Sequence, residues 1–97
     1  MQAAILTIQI ATWPQQTISS SGEIGTNFFV RILNSKKGKE LYYIQAFSRG
    51  KVAENIFNLY IKGDYLVIES YLFNNFLKSK YNIIIWIIQE HPIFLPI

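Results

Sequence analysis

The sequence predicts an all-β fold, a five-stranded Greek-key barrel with one α-helix between strands three and four. Three observations carry this expectation. Most of the chain alternates apolar and polar residues with a period of two, the pattern of half-buried strands. A single stretch, 50–61, changes to a helical period. Finally, 97 residues suffice for one modest core and not for two, so a single domain spanning 1–97 is expected.

The first strand is read over 2–12, with Leu6, Ile8 and Ile10 on one side, Thr7 and Gln9 on the other, and Pro14 closing it. Residues 15–25 are polar, glycine-punctuated and without periodicity, and are read as a mobile loop. The second strand covers 26–33, where Phe28, Val30 and Ile32 oppose Phe29, Arg31 and Leu33, and the arginine marks its own side as the outer one. Turn residues and three lysines make 34–39 a basic hairpin loop into the third strand, 40–47. There Tyr42, Ile44 and Ala46 share one face, and Tyr43, Gln45 and Phe47 the other.

In the helix, Val52, Ala53, Ile56, Leu59 and Tyr60 form one face, opposite Lys51, Glu54, Asn55 and Asn58. Ser48 is the expected N-cap, and Lys62 and Gly63 the expected stop. The fourth strand, 65–73, sets Leu66, Ile68, Ser70 and Leu72 against Tyr65, Val67, Glu69, Tyr71 and Phe73. A second lysine-bearing loop, 74–80, leads to a last strand over 81–89 that is apolar on both faces and is expected to be covered twice. Residues 91–97 read as a hydrophobic, proline-broken tail packed on the barrel or on another subunit.

This order of elements is that of the oligonucleotide/oligosaccharide-binding (OB) fold. The sequence also resembles the bacterial and organellar single-stranded-DNA-binding proteins. The resemblance lies in Ala46-Phe47, in Gly50-Lys51-Val52-Ala53-Glu54, and in Lys62-Gly63-Asp64-Tyr65-Leu66-Val67-Ile68-Glu69 with Leu72. Trp13-Pro14-Gln15, Thr17 and Gly22 match more loosely. The short single-stranded-DNA-binding-like reading frames of plastid and cyanobacterial genomes are the nearest in kind. The abundance of Ile, Asn, Lys, Phe and Tyr, residues of AT-rich codons, agrees with a plastid or an AT-rich bacterium as the source.

Three departures stand out. Ser70 replaces a usual glycine, Ser48-Arg49 reads as a two-residue insertion, and the family's acidic tail has no counterpart in these residues, so the family's role as a recruiting hub for repair and replication proteins is not expected to carry over.

The resemblance implies binding of single-stranded DNA, with RNA as the second choice. Such binding needs rings for bases to stack on and cations for phosphates. The outer faces supply Phe29, Arg31, Tyr43, Phe47, Tyr71 and Phe73, and the two loops supply Lys36, Lys37, Lys39, Phe76, Lys78 and Lys80. The plainer reading of these rings is that they favour strands or pack against a neighbouring subunit, and of the lysines that they keep the protein soluble. Trp13 and Trp86 are read as structural.

With 51% hydrophobic residues in so short a chain, apolar surface is left over, and a homo-oligomer, dimer or tetramer, is expected. The net charge of +3 suits a polyanion without demanding one. An interaction subunit that kept the barrel and lost the ligand is the alternative, favoured by the modest charge, the hydrophobic tail and the doubly apolar last strand.

No enzyme is expected, since the one histidine, His91, has no nucleophile beside it in a recognisable motif and the carboxylates are dispersed. No cofactor or metal is expected either. Cysteine is absent, the start lacks the form of a signal peptide, and the most apolar run, 83–88, is far short of the ~20 residues of a spanning helix.

Overall fold

A computed structural model describes residues 2–33, 41–74 and 83–93, excluding the side chains of 41–43 and 74. The elements are β1 (Gln2–Ile10), β2 (Gln15–Ile18), β3 (Ile24–Ile32), β4 (Leu41–Arg49), α1 (Gly50–Leu59), β5 (Tyr65–Asn74) and β6 (Ile83–Pro92). Five strands close in the cyclic order β1-β5-β6-β4-β3-β1, antiparallel except for the β4–β6 pair. With the helix between β4 and β5, this is the predicted Greek-key barrel, all-β apart from α1.

Alternation sorts the side chains as the sequence predicts. Ile8, Ile10, Phe28, Val30, Ile32, Ile44, Ala46, Leu66, Ile68, Ile85 and Ile87 are buried in one continuous core. Leu6 and Leu72 pack against its margin. Ser70 is inside as well, where its hydroxyl donates to the carbonyl of Ala4 at 3.1 Å, so the barrel accommodates a side chain at the position usually held by glycine.

The main correction concerns 15–25. Residues Gln15–Ile18 are a strand, paired antiparallel with the first half of β3. All four are exposed, so no burial period marks them, and backbone hydrogen bonds alone define the strand. Beyond it Gly22 takes a positive φ of 86°, and the hydroxyl of Ser19 accepts from the amide of Glu23. The β2–β3 hairpin thus forms an arm on the barrel. Its strand β3 changes partner midway, from β2 to β1. At the handover the Phe29 amide donates to Thr12 Oγ1 and the Phe29 carbonyl accepts from the Ala11 amide, which leaves no gap in the ladder.

The third strand ends two residues later than expected. Ser48 and Arg49 extend β4 opposite Thr26 and Gly25. Ser48 therefore points into the barrel and does not cap α1; the N-cap is Arg49, without a side-chain cap. Gly50, at φ 66°, turns the chain from strand into helix, a backbone state that disfavours other residues.

The helix ends at Leu59, two residues early. Leu59 is exposed instead of buried, because Tyr60 adopts an extended conformation and turns inward beside Ala53 and Ile56. The helix packs chiefly on β3, β4 and β6. Thr26 Oγ1 donates to the Ala53 carbonyl at 2.9 Å, pinning it to β3.

In β6 the register slips by one residue, at Ile88, between the pairs Glu69–Gln89 and Ser70–Ile87. This bulge exchanges the faces beyond it and carries Glu90 inside. His91 and Pro92, read from the sequence as tail, belong to the strand and pair with Val67 and Leu66. The outer face of β6 also differs from expectation: Ile88 is exposed, and no second layer of this chain covers it among the described residues.

Candidate nucleic-acid interface

The outer side chains of β3, β4, β6 and β5 fall into two rows. One runs Asn27, Phe47, Trp86, Tyr71, each the register partner of the next. The other runs Phe29, Gln45, Ile84, Phe73. Neighbouring strands lie about 4.8 Å apart, within reach of adjacent rings. Phe29 and Phe73 are each 39% exposed, and Phe47, Trp86 and Tyr71 are half-buried. Four of the predicted rings therefore share one wall. Of Tyr43, on β4 two residues before Gln45, only the backbone is described.

Arg31 lies beyond Phe29 on β3, opposite Gln9 of β1, and its Nη1 donates to Gln9 Oε1 at 2.9 Å. It stands at the β1 seam of the wall. Lys36, Lys37, Lys39, Phe76, Lys78 and Lys80 lie outside the described residues. The strands that follow their segments in the chain, β4 and β6, are parallel and begin at the same end of the barrel. Segments 34–40 and 75–82 hold five lysines and one glutamate, whereas the rest of the chain holds four Lys or Arg and five carboxylates. The basic excess is thus concentrated in the two stretches of sequence that precede β4 and β6.

The sequence reading missed Trp86 and Arg49. Trp86 was assigned to a doubly covered strand, yet it sits at the middle of a ring row, and the Arg49 guanidinium carbon lies 4.9 Å from its ring centroid. Arg49 Nε is 3.5 Å from Glu23 Oε1 on the β2–β3 arm. Between arm and wall runs an open groove of about 420 Å³ whose lining includes Thr17, Glu23, Asn27, Phe47, Arg49 and Trp86. Gly25 lets the arm lie close: a Cβ there would meet Thr17 Oγ1 at 2.8 Å. The parity of β6 did hint that Trp86 faces outward. Its neighbours Phe47 and Tyr71 come from tertiary pairing alone.

No family model and no curated protein matches the sequence. Solved structures do. The SSB domain of a Synechococcus protein matches with a TM-score of 0.75 and 18% identity, over 94% of both chains. The second single-stranded-DNA-binding protein of Mycobacterium smegmatis gives 0.78 and 18%, over 99% of this chain and 96% of that one. The small single-stranded-DNA-binding protein of Streptomyces coelicolor gives 0.77 and 13%, over 96% and 93%.

The chain shares the fold of the single-stranded-DNA-binding proteins. At these identities the likeness is one of architecture, and it covers nearly the full length on both sides. The OB barrel predicted from the order of elements is thereby established.

Among the described residues no cluster of histidine and carboxylates is arranged to hold a metal ion. No described helix is long and apolar enough to cross a membrane.

Proposed function

We propose that this OB-fold chain is a binding module for single-stranded nucleic acid, DNA before RNA, without strong sequence preference. Bases stack on the wall formed by Phe29, Phe47, Tyr71 and Phe73, joined by Tyr43 and Phe76. Phosphates meet Arg31, Lys36, Lys37, Lys39, Lys78 and Lys80. The carrying observation is the placement of aromatic side chains in two adjacent rows on the outside of β3, β4, β6 and β5. Each stacked base contributes roughly 1–3 kcal/mol whatever its identity, since every base has a π face. The names of the three similar proteins, each a single-stranded-DNA-binding protein or SSB domain, support the same ligand.

The module acts as a homo-oligomer. Residues 2–6 of β1 pair with β5 and, among the described residues, with no strand on their other side, and Ile5 is 70% exposed beside that edge. An open apolar edge is a template for a second copy. The AT-rich composition and the cyanobacterial likeness favour a plastid or an AT-rich bacterium and a role in DNA replication.

Titration of a labelled oligothymidine at several salt concentrations tests this reading. Neutralising about four phosphates per barrel gives a log–log slope near −3, at ~−0.7 per phosphate. Absence of binding at low salt, or binding indifferent to salt, overturns it.

One observation favours a second reading, a protein-interaction subunit. Leu59, Ile61 and Tyr65 are all more than half exposed around the end of α1, away from the ring rows. Stoichiometric protein partners without bound nucleic acid in a pull-down would favour it.

A further inference from the structure

The groove between the β2–β3 arm and the wall has features that a general stacking surface does not need. Its lining combines aromatic rings, from Phe47 and Trp86, with hydroxyl and amide groups from Thr17 and Asn27. One cation, Arg49, is held from two sides. The Trp86 ring lies beneath its guanidinium and the Glu23 carboxylate lies beside it. At about 420 Å³ the space falls in the range of small-ligand sites, roughly 300–1,000 Å³. It opens onto the row that continues through Trp86 to Tyr71. It also stands at the C-terminal end of β4, so a nucleic-acid strand lying along β4 across the ring wall arrives at it.

We propose that this groove is a discrete subsite for one nucleotide of the bound strand, with Arg49 as a phosphate-binding residue latched by Glu23 until the strand arrives. The base packs against Phe47 and Trp86, and the backbone phosphate takes the place of the Glu23 carboxylate as the anionic partner of Arg49. The guanidinium keeps its position over the indole throughout, so little ordering is needed on binding. A phosphate competes well for this position. The ion pair with Glu23 is 3.5 Å long and both side chains are about half exposed, a geometry that holds Arg49 weakly. Phosphate offers the guanidinium shorter, two-pronged hydrogen bonds. Glu23 therefore favours the free state, and its charge opposes binding. The assignment rests on the reading of the protein as a single-strand binder and adds a named site and a latch to it.

The test uses the full chain with Trp13→Phe, which leaves Trp86 as the one indole, and a labelled oligothymidine. Binding is expected to quench Trp86 fluorescence. Arg49→Gln is expected to weaken binding about tenfold and to lower the salt slope by ~0.7, the share of one phosphate contact. Glu23→Gln is expected to tighten binding about threefold at moderate salt, beyond whatever Glu54→Gln does by removing a carboxylate outside the groove.

If the oligonucleotide binds while Trp86 emission stays unchanged and Arg49→Gln matches its parent in affinity and slope, the subsite is overturned and strand binding stands. If Glu23→Gln and Glu54→Gln tighten binding equally, the latch is overturned. If the parent protein binds no oligonucleotide at low salt, the subsite falls together with the functional reading.

Discussion

The hydroxyl of Tyr60 donates a 2.6 Å hydrogen bond to Oε2 of Glu90, joining the end of α1 to β6 inside the barrel. The same carboxylate accepts a longer bond, 3.4 Å, from Asn55 Nδ2. Burial first, and then the bond and negative charge of Glu90, hold the Tyr60 hydroxyl well above the ordinary tyrosine range of titration.

A group whose folded pKa is raised contributes stability that is complete below its unfolded pKa and is lost as pH rises past it. The protein is accordingly expected to lose stability above pH ~10, the unfolded tyrosine value. Tyr60→Phe should flatten that alkaline loss. It also removes a donor from a buried carboxylate and should cost roughly 1–3 kcal/mol at neutral pH. Urea unfolding at pH 7 and pH 10.5 checks both effects.

Ser48 behaves in the opposite sense. Its hydroxyl is buried and has no hydrogen-bond partner among the described residues. Ser48→Ala removes a desolvated polar group without orphaning another, so a gain of about 1 kcal/mol is expected. The denaturant midpoint should rise with the slope unchanged.

On the ring wall, stacking and charge should separate. Phe47→Ala should weaken oligothymidine binding by about 1–3 kcal/mol at every salt concentration, as one lost stack does. Changing Lys36, Lys37 and Lys39 together to glutamine should instead flatten the salt dependence by about 2 in slope. Parallel titrations of the two variants distinguish the contributions.

The β1 edge carries the expectation of self-association. Ile5→Lys places a charge on a residue now 70% exposed and apolar. Charged residues on an edge strand discourage pairing. The monomer fraction in sedimentation velocity should rise while the thermal transition of the barrel stays close to that of the parent.

The inner and outer faces of four of the five barrel strands, β1, β3, β4 and β5, were legible in the chain. Period-two alternation is local, and the burial of Ile8 and Ile10, of Phe28 and Val30, of Ile44 and Ala46, and of Leu66 and Ile68 follows it. The position of the helix was legible for the same reason, although its ends were not: Gly50 turns the chain by a backbone conformation, and Tyr60 reverses inward to reach Glu90. The four residues of β2 had no such mark, because a strand exposed along its whole length has hydrogen bonds and no burial pattern.

Sequence alone determined which side chains face outward on most strands, since that depends on the pleat of each strand taken singly. It placed Phe29, Phe47, Tyr71 and Phe73 outside the barrel before any pairing was known. Only the tertiary structure decided which of them are neighbours. Parallel pairing of β4 with β6 sets Trp86 beside Phe47, and the length of β4 beyond Phe47 brings Arg49 over that indole and within reach of Glu23. The bulge at Ile88 turned Glu90, one residue past the expected end of the last strand, into the core. Register and bulges arise from contacts between segments far apart in the chain, and such contacts leave no period in the sequence to read.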